Sequence, residues 1–304
     1  ITATPTDHYR VAGWYNNAEC TGDAIITETG IGAKTYTISP LKEDQTVYAK
    51  FVEIDYSITL SKGTGINAIK VDGTAQDNVT AHVATKTGTI TADVANGYTW
   101  SKWTTSGSIT ATPDLNTNGI QINATSTGTL TATATEILHS VTMASSDDNK
   151  GTAAITSAQQ QAGIATPISI KATPKAGYYF TGWTASDGSK VTFGNSKSET
   201  TTAKVTADGI TITANFANRY AFRGSLNDQG NTPAGMPGWG NDALITFTGE
   251  TGSVQYTLQP NKQYKFLIYD LKNSNNRGFV SENQTFAWNG TATFNGTYHA
   301  LLDT

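Results

Sequence analysis

One cysteine, two methionines and four histidines in 304 residues leave this chain short of the usual catalytic and metal-binding side chains. Cys20 has no second cysteine to pair with, which excludes an intrachain disulfide framework and a cysteine-based metal site. His8, His82, His139 and His299 lie far apart, so a histidine metal cluster or a shared catalytic base is not expected. Charged residues make up 14% of the chain, well below the usual quarter or so, and the net charge is −4. With no cluster of Lys and Arg there is no attraction for a phosphate backbone, and nucleic acid is not an expected partner. No apolar run approaches the roughly 18 residues of a membrane-crossing helix, so no membrane-spanning segment is expected in this chain. A basic-then-apolar leader is also missing, and any secretion signal is expected to have been removed or to lie upstream. Gly-x-Ser-x-Gly, Walker, His-Glu-x-x-His and dinucleotide motifs are all absent, so no cofactor and no catalytic residue is assigned and a non-enzyme is expected.

Thr, Ser, Asn, Ala and Gly fill the space that charge leaves, and 10% of residues are aromatic. Frequent period-2 patterns with polar outer faces point to many short strands rather than disorder. One block organises them. It occurs as Ile1-Thr2-Ala3 … Gly13-Trp14, Ile90-Thr91-Ala92 … Lys102-Trp103 and Ile170-Lys171-Ala172 … Gly182-Trp183, with the Trp eleven positions after the Ala each time. A second block follows, ending at Phe51, Ala134 and Phe216, 83 and 82 residues apart. That period is a small domain rather than a solenoid rung. The sequence predicts a partial repeat at 1–53, repeats at 54–136 and 137–217, and an unrelated piece at 218–304. The first repeat lacks the roughly 35 residues that precede this block in the other two, so either the chain is a piece of a longer protein, which is the expectation favoured, or its first module is truncated.

Within the block, Pro174 and Gly177 mark a turn, and the strands on either side read as a hairpin. Tyr9/Val11, Tyr98/Trp100 and Tyr178/Phe180 are two apart and share a face. Each repeat tryptophan comes three residues later, which strict alternation would put on the opposite side. One extra residue, a β-bulge, returns it to the core. Gly13 and Gly182 suit such a bulge, and Lys102 suits it less. The recurrence of Trp14, Trp103 and Trp183 at one place favours core anchors over sugar-stacking platforms.

The motif Gly177-Tyr178-Tyr179-Phe180-Thr181-Gly182-Trp183, followed by the Thr-rich strand ending Thr213-Ala214-Asn215-Phe216, resembles the divergent internalin-B-type (Listeria–Bacteroides) repeat. The resemblance covers about residues 1–217, with His8, Lys102 and Ala134 departing from the pattern. It implies small β modules on bacterial surface or secreted proteins, often spacers or adhesive stalks, and carries no catalytic residues.

After Phe216 the pattern changes. Arg219–Asn227, Leu244–Thr248, Val254–Leu258, Gln263–Tyr269 and Thr285–Trp288 read as strands of a β-sandwich, with a Gly/Pro/Asn-rich loop at Asp228–Asn241. The order strand, Gly-Ser-x-Asn, Trp-bearing loop, strand, Asn-Lys-x-Tyr-x-Phe is similar to starch-binding-type carbohydrate modules. It also resembles surface glycan-binding proteins of gut bacteria. Those folds continue with a further strand pair, so a truncated or proteolysed product is expected here. A glycan partner would need an exposed aromatic face beside polar groups. Trp239 is the first candidate, with Tyr269 and Trp288 behind it and Asn227, Asp228 and Asn241 as hydroxyl partners; the competing role for Trp239 is to cap the sandwich edge. Glu250, Asp270 and Glu282 could supply a glycosidase pair, but the segment offers no cleft-building insertion. Asp147-Asp148-Asn149-Lys150-Gly151 reads as a polar turn rather than half of a calcium loop.

The fold class expected is mainly β: tandem small repeats followed by a C-terminal β-sandwich. The function expected is an extracellular or cell-surface stalk presenting a glycan-binding, adhesive module. The alternatives are a purely structural fibre subunit that self-associates, or the accessory tail of a larger glycan-degrading enzyme.

Overall fold

The structure is a computed structural model that describes residues 1–226, 238–258, 262–286 and 290–297, with side chains for 1–223, 244–253 and 268–274. Among the described residues the regular structure is strand, apart from one 3-10 turn at Gly188–Lys190. The mainly-β expectation holds. The chain divides into two compact units, Ile1–Ile137 and Leu138–Thr304.

In the first unit a complete repeat uses five main strands: opening Tyr56–Lys62, second Ile66–Val71, third Ile90–Val94, tryptophan strand Tyr98–Ser106 and closing Gly128–Glu136. In the second unit the same roles fall to His139–Ser145, Gly151–Ile155, Ile168–Pro174, Tyr178–Ala185 and Ile210–Asn218. Each opening strand lies parallel to its closing strand, Ile58 beside Gly128 and Val141 beside Ile210. Each second strand runs antiparallel to its third, pairing Val71 with Ile90 and Ile155 with Ile170. Alternation then turns one face of each sheet inward. The resulting cores bury Ile58, Ile69, Ile90, Trp103 and Leu130 in one repeat, and Ile168, Ile170, Trp183, Ile212 and Ala214 in the other.

Residues 1–53 hold only the last three roles, as Thr2–Ala3, Tyr9–Tyr15 and Tyr48–Glu53, around a small core of Ala3, Val11 and Trp14. Their closing strand pairs with Tyr9–Tyr15 alone, and Thr2–Ala3 pairs only with Lys34–Thr35.

The expected hairpin is corrected by the pairing. In each repeat the third strand and the tryptophan strand are joined by a tight turn, yet they belong to different sheets. The turn residue adopts a left-handed conformation, with φ of 70° at His8, 81° at Gly97 and 79° at Gly177. Its carbonyl accepts the N–H of the residue just past the closing strand or its end, Ile54, Ile137 and Arg219, at 2.8 Å each. The turn thus closes the module instead of starting a ladder. His8 fills a glycine position, and its Nδ1 lies 2.9 Å from the Tyr56 hydroxyl.

The bulge is present in all three copies. Register against the closing strand slips between Val11 and Gly13, Trp100 and Lys102, and Phe180 and Gly182. Ala12, Ser101 and Thr181 are therefore the extra residues. A side chain opposite the slip holds the bulged carbonyl in two copies: Thr133 Oγ1 donates to Lys102 O at 2.6 Å, and Asn215 Nδ2 donates to Gly182 O at 3.0 Å. Lys102 fits because its side chain points to solvent. At Gly13 an added Cβ would sit 2.7 Å from Ile26 O, so glycine is needed there.

Beyond the bulge Trp14, Trp103 and Trp183 are 1%, 1% and 4% exposed, which makes them core anchors. The Trp103 Nε1–H donates to Thr117 O at 3.1 Å and Asn118 O at 2.9 Å, and the Trp183 Nε1–H donates to Ser198 O at 2.9 Å. Trp14 Nε1 is buried without a hydrogen-bond partner; its ring stacks on Tyr36 with centroids 5.6 Å apart.

At the joint between residues 1–53 and the following repeat, the Glu53 carboxylate accepts the Ala84 N–H at 2.6 Å and the Thr85 N–H at 3.2 Å. Hydrogen bonding from Thr85, helped by Ala84 and the charge of His82, holds the Glu53 carboxyl below the usual glutamate range. His82 in turn lies 2.8 Å from Asp55.

Two outcomes follow for unfolding of the full chain. Trp103→Phe and Trp183→Phe strip a donor from part-buried carbonyls and should each cost about 1 kcal/mol more than Trp14→Phe, which removes an unpaired N–H; denaturant titration measures this. Glu53 has a depressed folded pKa, so its stabilising contribution is complete above the ordinary glutamate value and is lost as pH falls below about 4.5. Melting of the Ile1–Ile137 unit should therefore decline less steeply between pH 5 and 3 in Glu53→Gln than in the parent, an acid range set by the glutamate reference value.

Candidate functional site

The strand Tyr220–Leu226 continues almost directly from the closing strand Ile210–Asn218, with Arg219 between them. It sits inside a four-stranded sheet, flanked by Gly238–Leu244 on one side and Lys262–Asp270 on the other, with Asn275–Phe286 beyond. A three-stranded sheet of Thr246–Thr248, Thr251–Leu258 and Gly290–Thr297 completes the sandwich. The stretch expected as a loop to Asn241 is in fact strand from Gly238 onward. A Gly/Pro-rich composition signals turns, but ladder partners 14 to 23 residues away decide the outcome.

This attachment is tied down by a buried ion pair. Asp270 is 0% exposed and Arg219 8% exposed. The Asp270 carboxylate accepts Arg219 Nε at 3.3 Å and Nη2 at 3.4 Å, the Lys272 and Asn273 N–H groups at 3.0 and 3.2 Å, and Asn273 Nδ2 at 3.0 Å. A carboxylate so engaged is a structural anchor, not a free acid for glycoside chemistry. Asn218 Nδ2 adds a bond to Ile245 O at 3.3 Å, and Phe247 packs against Tyr178 and Tyr220 with centroids 6.2 and 6.1 Å away.

Register gathers some of the candidate ligand residues on this sheet. Ala221 pairs with Leu244 and Phe222 with Ala243, and then Gly224 pairs with Gly238. Residues 239–242, including Trp239 and Asn241, thus form a wide bulge across from Arg223. On the other flank Ala221 pairs with Tyr269, so Tyr269 is diagonal to Arg223. The Arg223 guanidinium carbon lies 3.4 Å from the centre of the half-buried Tyr269 ring. This cation–π stack lays the guanidinium over one face of the ring and fixes it. Arg223 was not singled out from the sequence; its place in an alternating strand beside two aromatic-bearing segments is the signal that could have found it. The side chains of Trp239 and Asn241 lie outside those described, and Asn227, Asp228 and Trp288 lie outside the described residues altogether.

A hollow of about 140 Å³ lined by Lys62, Ala68, Ile69, Ala75, Gln76 and Asp77 falls well short of the roughly 300–1,000 Å³ of small-molecule pockets. The Asp147 segment is a turn: its carboxylate accepts the Asn149 N–H at 2.9 Å and its carbonyl the Lys150 N–H at 2.9 Å. Among the described histidines, His8 meets Tyr56, His82 meets Asp55 and His139 lies 3.2 Å from Asp208, each at a separate place. His299 lies outside the described residues.

Comparison with known proteins bears on the repeat rather than on this sheet. No curated protein and no solved structure matches the chain. Residues 141–219, which run from the opening strand to the end of the closing strand in the second unit, match the family model of the divergent InlB B-repeat domain.

Proposed function

We propose that this chain is a non-enzymatic surface or secreted protein in which InlB-type β repeats carry a C-terminal glycan-binding, adhesive module. The supporting observation is the change of pattern past Arg219, where a repeat of surface-protein type runs straight into a sheet bearing the Arg223–Tyr269 stack. The wide bulge at 239–242 brings Trp239 and Asn241 to the same sheet. Sugars present C–H faces ringed by hydroxyls, and aromatic rings on a sheet that also carries a guanidinium and amide residues answer both. Asn227, Asp228 and Trp288 are the remaining candidate contacts.

A structural stalk or fibre subunit is the second reading. It is favoured by the closing strand Tyr48–Glu53, which is paired along one edge only, and by the exposed apolar residues of 1–53, among them Ile31 at 73% and Leu41 at 66%.

Isothermal titration of the full chain against soluble α-glucans and a panel of host glycans separates the two. The expected result is binding to at least one glycan, weakened about tenfold or more by Trp239→Ala with an unchanged melting temperature. No binding across the panel, or binding that Trp239→Ala leaves intact, contradicts this site.

A further inference from the structure

Two joints in the chain, one in each unit, are built on the same three contacts. At the first, between residues 1–53 and the next repeat, the Ile54 N–H reaches the carbonyl of the left-handed His8 at 2.8 Å. Glu53, the last residue of the closing strand, accepts the Ala84 and Thr85 N–H groups of the following repeat at 2.6 and 3.2 Å. The Tyr56 ring stands edge-on to His8 with centroids 6.1 Å apart, and its hydroxyl lies 2.9 Å from His8 Nδ1. At the second joint, between the repeat of the second unit and the sandwich, the Arg219 N–H reaches the carbonyl of the left-handed Gly177, again at 2.8 Å. Asn218, the last residue of its closing strand, donates to the Ile245 carbonyl of the sandwich at 3.3 Å. The Phe247 ring lies over Gly177 beside Tyr178 and Tyr220, where any Cβ at residue 177 would collide with it. Glu53 and Asn218 both stand two residues past a phenylalanine of the closing strand, Phe51 and Phe216, and His8 and Gly177 both stand six residues before a repeat tryptophan. The modules that follow differ in fold, yet they engage the same three points.

We propose that the left-handed turn and the strand end form a docking socket of the repeat, and that its occupant is an aromatic ring of the module that follows in the same chain. The sandwich seats Phe247 in this socket and is held on the repeat at a fixed orientation. Modules joined through small polar contacts move independently by default. Here only Arg219 separates the strands Ile210–Asn218 and Tyr220–Leu226, and an apolar ring fills the side that glycine leaves empty. The turn residue also sorts the ring. Glycine leaves room for phenylalanine directly over the backbone, whereas the imidazole of His8 takes up that room and meets a ring that carries a hydroxyl. This inference stands apart from the glycan reading, and its test involves no sugar.

Residual dipolar couplings of the weakly aligned full chain read the orientation of the two modules. Amides of the repeat strands Ile168–Pro174 and Ile210–Asn218 and of the sandwich strands Tyr220–Leu226 and Lys262–Asp270 should fit one alignment tensor. Gly177→Ala sets a methyl under the Phe247 ring without altering the sandwich core, and it should require two tensors. Gly97→Ala carries the same left-handed strain, at φ 81°, in the turn of the other unit, and it should leave one tensor for these strands. If Gly177→Ala shifts the repeat amides themselves, Phe247→Ala empties the socket from the other side and should give two tensors with those amides unmoved. Two tensors in the parent chain overturn the proposal, as does a single tensor in either variant whose repeat amides are unmoved. Two tensors in Gly97→Ala overturn it as well, because strain at any turn would then be enough.

Discussion

Ala12, Ser101 and Thr181 each add one unpaired residue to the strand leading to a tryptophan, and the change of face that follows sets the indole between two sheets. Without that residue the ring would face solvent, and a module of roughly 80 residues would forfeit its largest apolar contribution. The bulge is held from outside by Thr133 and Asn215 in the complete repeats, and the indole from inside by carbonyls of the loop that follows. A glycine is therefore not the essential element, as Lys102 demonstrates; a hydrogen-bonding residue on the closing strand can stabilise the same distortion.

The second constraint is the way a closing strand ends. The residue just past it, or at its end, donates to the carbonyl of a left-handed turn, at His8, Gly97 and Gly177 alike. At Gly177 the same device leads not into another repeat but into the sheet of the C-terminal module. There Arg219, the donor, also reaches Asp270 with its side chain. One residue thus ends the repeat and anchors the sheet carrying Arg223 and Tyr269. A buried pair of this kind is costly to break once formed, because a lone partner would keep its charge away from water.

Much of the repeat was legible because its signals are local. The three-residue step from Phe180 to Trp183 announces a bulge whatever the partner strand is. What escaped was set at long range. The turn at Pro174–Gly177 suggested a hairpin, but the third strand finds its partner in Gly151–Ile155 and the tryptophan strand finds its own in Ile210–Asn218. Parallel pairing of Ile58 with Gly128 leaves no trace in either segment alone. In the C-terminal module Tyr269 was singled out as an aromatic, but its stack with Arg223 depends on the register of two strands more than 40 residues apart. Trp239 was assigned to a loop from its Gly and Pro neighbours, whereas pairing with Tyr220–Leu226 makes its segment a bulged strand.

The buried indole behind a bulge is most directly tested by solvent exchange of the tryptophan Nε1–H groups in a ¹⁵N-resolved NMR spectrum of the full chain. Trp103 and Trp183 should exchange orders of magnitude more slowly than an exposed indole, in step with the amides of Gly128–Glu136 and Ile210–Asn218. Exchange of either ring at the rate of a free indole, with those amides still protected, would contradict the account.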